Sequence, residues 1–338
     1  MSTQSQALKK GAIFVLSFLS LIVIGLMVLW NFDFGSEKSL SNIWAQASGP
    51  SIVGAMLLIS MSMPFVAMRW RALLLEKEKT SPVLLTGILS AAFVLNLALP
   101  GPVGELLSAS MLKNRYQIPI SKGLSGLLVS RIIGLGSACA IAGTMYWVAP
   151  LALSDDWDTI LQISAILLLL GGVGLSILGA FPDFFLLKIN SITASGWKAK
   201  LLGVGKQLFS ALVETAGLGR KAYLESVFWA FMGHLMVASG IYVAASSIGI
   251  TLSWTAIAFT YAASIAASVA MFMLPGSTVA WDFLFTSTLS LAGGISLVEA
   301  GLITLVVRIQ QLIVVLLGLL MLFWLSRDLL DVQVEEEM

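Results

Sequence analysis

Four charged residues stand apart from the rest of this chain: Glu105, Arg131, Asp282 and Arg308. Each lies within an apolar stretch, and the acid precedes the arginine by 26 residues in both pairs. Each acid follows a Leu-Pro-Gly break, at Leu99-Pro100-Gly101 and at Leu274-Pro275-Gly276. Acid and arginine so placed can pair and pin the backbone after the break, since an acid also suits the first turn of a helix. The arginines and the helix N-termini after the breaks can equally attract an anionic group such as a phosphate. The two readings are compatible where a substrate competes for a resting ion pair. Asn96, just before the first break, can satisfy freed backbone groups or touch substrate. The only histidine, His234, is either a packed, hydrogen-bonded side chain or a proton carrier coupled to transport. A nucleophile with its base, a metal cluster and a phosphate-cradling glycine loop are all missing from the pattern. The chain therefore reads as a transporter rather than an enzyme, with no cofactor, metal or nucleic acid expected.

The elements that must hold these residues follow from composition. Of 338 residues, 58% are apolar and 11% charged, and the mean hydropathy is +0.96. Soluble domains carry about 25% charged residues, and a spanning helix needs about 20 mostly apolar ones. This pattern excludes a soluble enzyme. Six apolar runs suit full spans: 11–30, 52–70, 123–148, 159–181, 223–248 and 299–325. The run 11–30 is too long for a cleaved signal and reads as a retained first span. The regions 83–113 and 253–294 are each broken by Pro-Gly, and proline neither donates a backbone hydrogen bond nor fits a helix interior. Pro100, Gly101, Pro102, Gly104, Pro275 and Gly276 read as the devices that make the turns. The piece 104–113 would be only about 15 Å long, short of a hydrocarbon core of roughly 30 Å. Both broken regions are expected to be re-entrant helical hairpins.

Charge placement sets the expected topology. Arg69, Arg71, Lys77 and Lys79 precede the first broken region, and Lys113, Arg115 and Lys122 follow it. Short basic loops stay on the cytoplasmic side, so both ends of 83–113 lie inside. Alternation then puts 31–51 and 149–158 outside, 182–222 inside, and both termini in the cytoplasm. Of the 19 basic residues, Lys38 alone falls outside and Arg131 and Arg308 fall within spans. Arg69 and Arg71 are expected to be interfacial anchors. Trp30, Trp70, Trp147, Trp254 and Trp324, at span ends, suit an interfacial belt. Within 182–222, Trp197, Leu201, Val204, Leu208 and Leu212 recur at helical spacing between lysines, as in a helix lying on the inner leaflet. A plain linker is the other reading. Gly171, Gly172 and Gly174 mark close helix packing.

The chain is thus expected to be one membrane domain, 1–338, all-α, with six full spans and two broken hairpins. Its halves, 52–148 and 223–325, repeat the order span, broken hairpin, span with opposite orientation. Many secondary transporters use such inverted repeats, with the substrate near the midplane. An arginine at depth costs about 2.5–3.5 kcal/mol on insertion scales, so the four buried charges are expected to be paired or hydrated. Irregular backbone at depth needs protein or a water-filled cavity around it, which points to one cavity shared by breaks and charges.

The order Arg69-Trp70-Arg71, Asn96, Leu99-Pro100-Gly101, Gly104-Glu105, Arg131, Pro275-Gly276, Asp282 and Arg308 resembles the transmembrane domain of lysylphosphatidylglycerol synthases and their stand-alone flippase-like relatives, over roughly residues 8–326. The resemblance implies movement of a modified phospholipid between leaflets of the inner, cytoplasmic membrane. Two departures matter. No soluble aminoacyl-transferring domain follows the last span, so lipid aminoacylation is not implied. The second break has Ser277-Thr278-Val279-Ala280 and Asp282 where the family has glycines and a glutamate. The leading expectation is a lipid translocase for a polar-headgroup phospholipid or a polyprenyl-phosphate lipid. Its expected partners are membrane lipids and, as alternatives, a lipid-modifying enzyme or a second copy of the chain. The other function classes are an accessory subunit of a lipid- or glycan-modifying enzyme and a secondary transporter of a small anion.

Overall fold

The computed structural model describes residues 47–74, 77–98, 103–149, 155–181, 218–271 and 277–336, with isolated positions elsewhere. The expected first span at 11–30, the turn residues Pro100, Gly101, Pro102, Pro275 and Gly276, and most of the expected connector at 182–222 lie outside the described residues. Among the described residues every regular element is helical: α1 Gly49–Ser60, α2 Ser62–Arg71, a 3-10 turn Lys77–Lys79, α3 Pro82–Ala98, α4 Val103–Tyr116, α5 Ile120–Val148, α6 Asp155–Ala180, α7 Arg220–Ser247, α8 Trp254–Met271, α9 Ser277–Gly293 and α10 Leu297–Glu336.

Four stretches are long and apolar enough to cross a membrane: Gly49–Arg71, Ile120–Val148, Arg220–Ser247 and Leu297–Trp324. The chain is therefore a multi-pass membrane protein. The first stretch is interrupted at Met61. Pro64 follows three residues later, and its missing N–H removes the bond that would reach back to Ser60. The Ser60 hydroxyl accepts Gln310 Nε2 of α10 at 2.8 Å. The outward sides of α6 and α10 expose Ile163, Leu167, Leu170, Leu317, Leu320 and Phe323. Apolar surface of that extent suits lipid and not water.

Helices α3 and α4 run antiparallel. At one end the Ser81 N–H donates to Tyr116 Oη (3.0 Å), and at the other the Gly104 N–H donates to Asn96 Oδ1 (2.8 Å). Helix α4 is longer than the ten residues expected, with 14. Lys113 and Arg115 extend it, because basic residues suit the last turn and Arg115 lies over the Trp324 ring, 4.5 Å from its centroid. Gln117, at φ 57, and Pro119 end it. Helices α8 and α9 pair in the same way, with Leu252 before α8 meeting Gly293 at the end of α9.

Two apolar clusters hold these elements. One joins Ala67, Trp70, Leu85, Ile88, Leu112 and Leu127 of α2, α3, α4 and α5. The other joins Ile59, Ile241, Ile257, Phe285, Leu289 and Ile303 of α1, α7, α8, α9 and α10. Trp70, expected in an interfacial belt, is fully buried; its Nε1 donates to the Gly123 carbonyl at 3.2 Å. Trp147 and Trp324 are exposed. Of the glycine run in α6, Gly172 meets the Gly136 carbonyl and Ala140 of α5, where a Cβ would stand 2.8 Å from backbone atoms. Gly171 and Gly174 have open space around them.

Candidate functional site

Arg131 and Arg308 each stand eleven residues into their helices, α5 and α10, about 16 Å along the axis. Each meets the acid that the spacing assigned to it. Arg131 Nη2 donates to Glu105 Oε1, and Arg308 Nε donates to Asp282 Oδ1 at 2.6 Å. Glu105 belongs to the first turn of α4 and Asp282 to the second turn of α9; these helices pack on α5 and α10 respectively.

The first pair is built from the backbone outward. A Cβ at Gly104 would lie 2.3 Å from the Ala92 carbonyl and 2.7 Å from Asn96 Oδ1, so only glycine lets α4 come this close to α3. Gly104 thus serves inside α4 rather than in the turn before it. The close approach brings Asn96 across the gap. Its Oδ1 accepts the Gly104 N–H, one of the donors a helix start leaves unpaired, and its Nδ2 donates to Glu105 Oε1 at 3.1 Å. Asn96 therefore does satisfy freed backbone at the break. Glu105 is buried, and its Oε2 finds no hydrogen-bond partner among the described residues.

The second pair differs. Arg308 Nη1 donates to Gln311 Oε1 at 2.6 Å, and the guanidinium lies over the Trp281 ring, 5.0 Å from its centroid. Exposure is reversed between the pairs. The Arg131 side chain is 43% exposed and that of Glu105 10%, whereas Arg308 is 12% exposed and Asp282 33%. The first pair presents a cation and the second a carboxylate.

His234 is buried in α7. Its Nε2 lies 3.0 Å from the Gly134 carbonyl, which can only accept, so Nε2 carries the proton. Its ring sits 5.8 Å from that of Tyr261. These contacts are those of a packed, hydrogen-bonded histidine.

Arg69 was expected at the interface, and the structure turns it inward. Its Nε donates to Ser130 Oγ at 2.9 Å, and its Nη1 rests against Gly134, where a Cβ would approach to 2.1 Å. Arg71 turns the other way, to the Thr80 carbonyl (3.0 Å). Residues two apart on a helix point in nearly opposite directions. That spacing in Arg69-Trp70-Arg71 is the signal that one of the two arginines must face the protein.

The model of one protein family, described as the lysylphosphatidylglycerol synthase TM region, matches residues 14–318. The chain belongs to that family. The match spans every described residue of both ion pairs, of Asn96 and of Arg69. Membership identifies the chain as a membrane domain of a lipid-related kind. Comparison with curated proteins and with solved structures gave no match.

Proposed function

We propose that this member of the family is a lipid translocase and not an enzyme, moving a lipid with an anionic, polar headgroup between leaflets of the cytoplasmic membrane. The observation that carries the proposal is the pair of acid–arginine contacts at matching positions along α5 and α10, with opposite charges exposed. A headgroup phosphate competes with Glu105 for the exposed Arg131, and the exposed Asp282 meets a cationic group of the headgroup where the lipid carries one, while the acyl or prenyl chains stay in lipid.

The architecture behind this proposal is an inverted repeat of residues 52–148 and 223–325, with α3–α4 and α8–α9 as re-entrant hairpins among six full spans. The packing supports it. Exchanging α1–α2 with α7, α3 with α8, α4 with α9 and α5 with α10 turns contacts among these helices into one another: α3 on α10 becomes α8 on α5, α4 on α5 becomes α9 on α10, and α2 on α3 becomes α7 on α8; the packing of α6 on α5 stands outside the exchange. In the proposed orientation both termini are cytoplasmic, and the two hairpins act as inner and outer gates of an alternating-access cycle.

Reconstitution in liposomes with headgroup-labelled lipids tests the activity. Outer-leaflet exposure of an anionic, aminoacylated or polyprenyl lipid should accelerate; no acceleration for any of the three, with the protein shown to be folded, would sink the proposal. In a Cys139-free background, cysteine at Lys38 should label from outside and cysteine at Arg115 from inside. Labelling of both from outside would remove the first re-entrant hairpin.

A further inference from the structure

Arg69 reaches α5 beside Arg131: its Nε donates to Ser130, the residue before Arg131, and its Nη1 rests against Gly134, whose carbonyl meets His234. Two arginines sharing a partly buried site repel, and neither can lose its proton to relieve the cost. The carboxylate at this site is Glu105, already engaged with Arg131 and Asn96. Among the described residues no carboxylate pairs with Arg69. Among the described residues one of its five N–H donors finds an acceptor, the neutral hydroxyl of Ser130. The second pair is balanced by contrast, since Asp282 and Gln311 take Arg308 donors.

The seat for Arg69 is nonetheless built. Gly134 leaves the space its Nη1 occupies. The Ser226 hydroxyl fixes the Arg69 carbonyl at 3.0 Å, and His234 is held against Gly134 from the opposite helix. A positioned guanidinium with unused donors, next to a second cation, lacks one component, an anion with several acceptor oxygens. A phosphate matches the fork of a guanidinium in charge and geometry.

We infer that Arg69 and Arg131 together form the seat for the phosphate of the transported lipid, with Arg69 a binding residue. This rests on the translocase reading for the identity of the ligand, but binding can be measured without transport. The probes are inorganic phosphate and dihexanoylphosphatidylglycerol below its micelle concentration. Each is titrated against the full chain in a neutral detergent, with apparent Kd taken from the shift of the unfolding midpoint.

The short-chain lipid should bind the wild-type protein more tightly than phosphate does. Arg69→Gln should raise Kd for both by about 10- to 100-fold, as for loss of a charge-assisted contact. Arg69→Lys should recover part of the loss, because a point charge lacks the fork. Gly134→Ala keeps Arg69 chemically intact but displaces its tip, and should weaken binding as well; it serves if Arg69→Gln fails to fold. Lys221→Gln, which removes an exposed charge on α7, should leave both Kd values unchanged. Wild-type Kd in both Arg69→Gln and Gly134→Ala, or an equal loss in Lys221→Gln, overturns the seat. Phosphate binding that depends on Arg69, with no lipid binding, overturns the lipid as its source. Intact binding with no leaflet exchange overturns the translocase reading alone.

Discussion

Replacing Asn96 with alanine should destabilise the fold by about 2–4 kcal/mol. The side chain makes two hydrogen bonds across the α3–α4 gap. A bond to a charged group is worth about 1.5–3 kcal/mol and one between neutral groups about 0.5–1.5 kcal/mol. Alanine leaves the Gly104 N–H without an acceptor and strips Glu105 of one of its two donors. The chain offers a convenient probe, since Cys139 is its one cysteine and is buried in α5. A thiol-reactive dye in detergent titrated with sodium dodecyl sulfate therefore reports the opening of a single site. In a Glu105→Leu background the same substitution should cost only the Gly104 share, about 1 kcal/mol. Asn96→Asp, which keeps an acceptor but sets a second carboxylate against Glu105, should recover none of the loss. A change under about 0.5 kcal/mol for Asn96→Ala, smaller than a single neutral bond, would refute the role assigned to this residue.

Three further outcomes follow from the geometry. Reversing Arg308 to aspartate should lower folded yield strongly, and adding Asp282→Arg should restore part of it; rescue in neither yield nor activity would mean that the pair is not coupled. Gly318→Ala puts a Cβ 2.3 Å from the Ser90 carbonyl, so it should cost about 1–3 kcal/mol by overpacking in the same unfolding assay. Gly171→Ala, in open space, should leave stability within about 0.5 kcal/mol of wild type; a loss equal to that of Gly318→Ala would refute the packing argument, since helix propensity favours alanine at both positions.

The two ion pairs were readable in the sequence because each acid is tied to its arginine by a short covalent path. A break, one further helix and a tight connection leave an acid 26 residues upstream little choice of neighbour. Four of the six expected spans reappear as helices of spanning length because about 20 apolar residues leave few alternatives. The inward turn of Arg69 is not legible in the sequence for the opposite reason. Its hydroxyl partner is 61 residues away, and composition at a span end looks alike whether an arginine reaches outward or inward. The burial of Trp70 was hidden in the same way, since its acceptor, the Gly123 carbonyl, lies 53 residues on. Nor does an apolar count show which pair exposes its cation, because that depends on Gln311 and Trp281 enclosing Arg308.

The contact pattern also bears on how such a chain can come into being. Helix α3 is covered by α10, and α5 by α8, so each half supplies the other's interior. A half-length chain would carry Ser90 and Val94 on a face that has lost Gly318, and would be stable only against a second copy offering the missing helices. On the proposed inverted repeat, a precursor of this architecture would have worked as two identical subunits inserted in opposite directions.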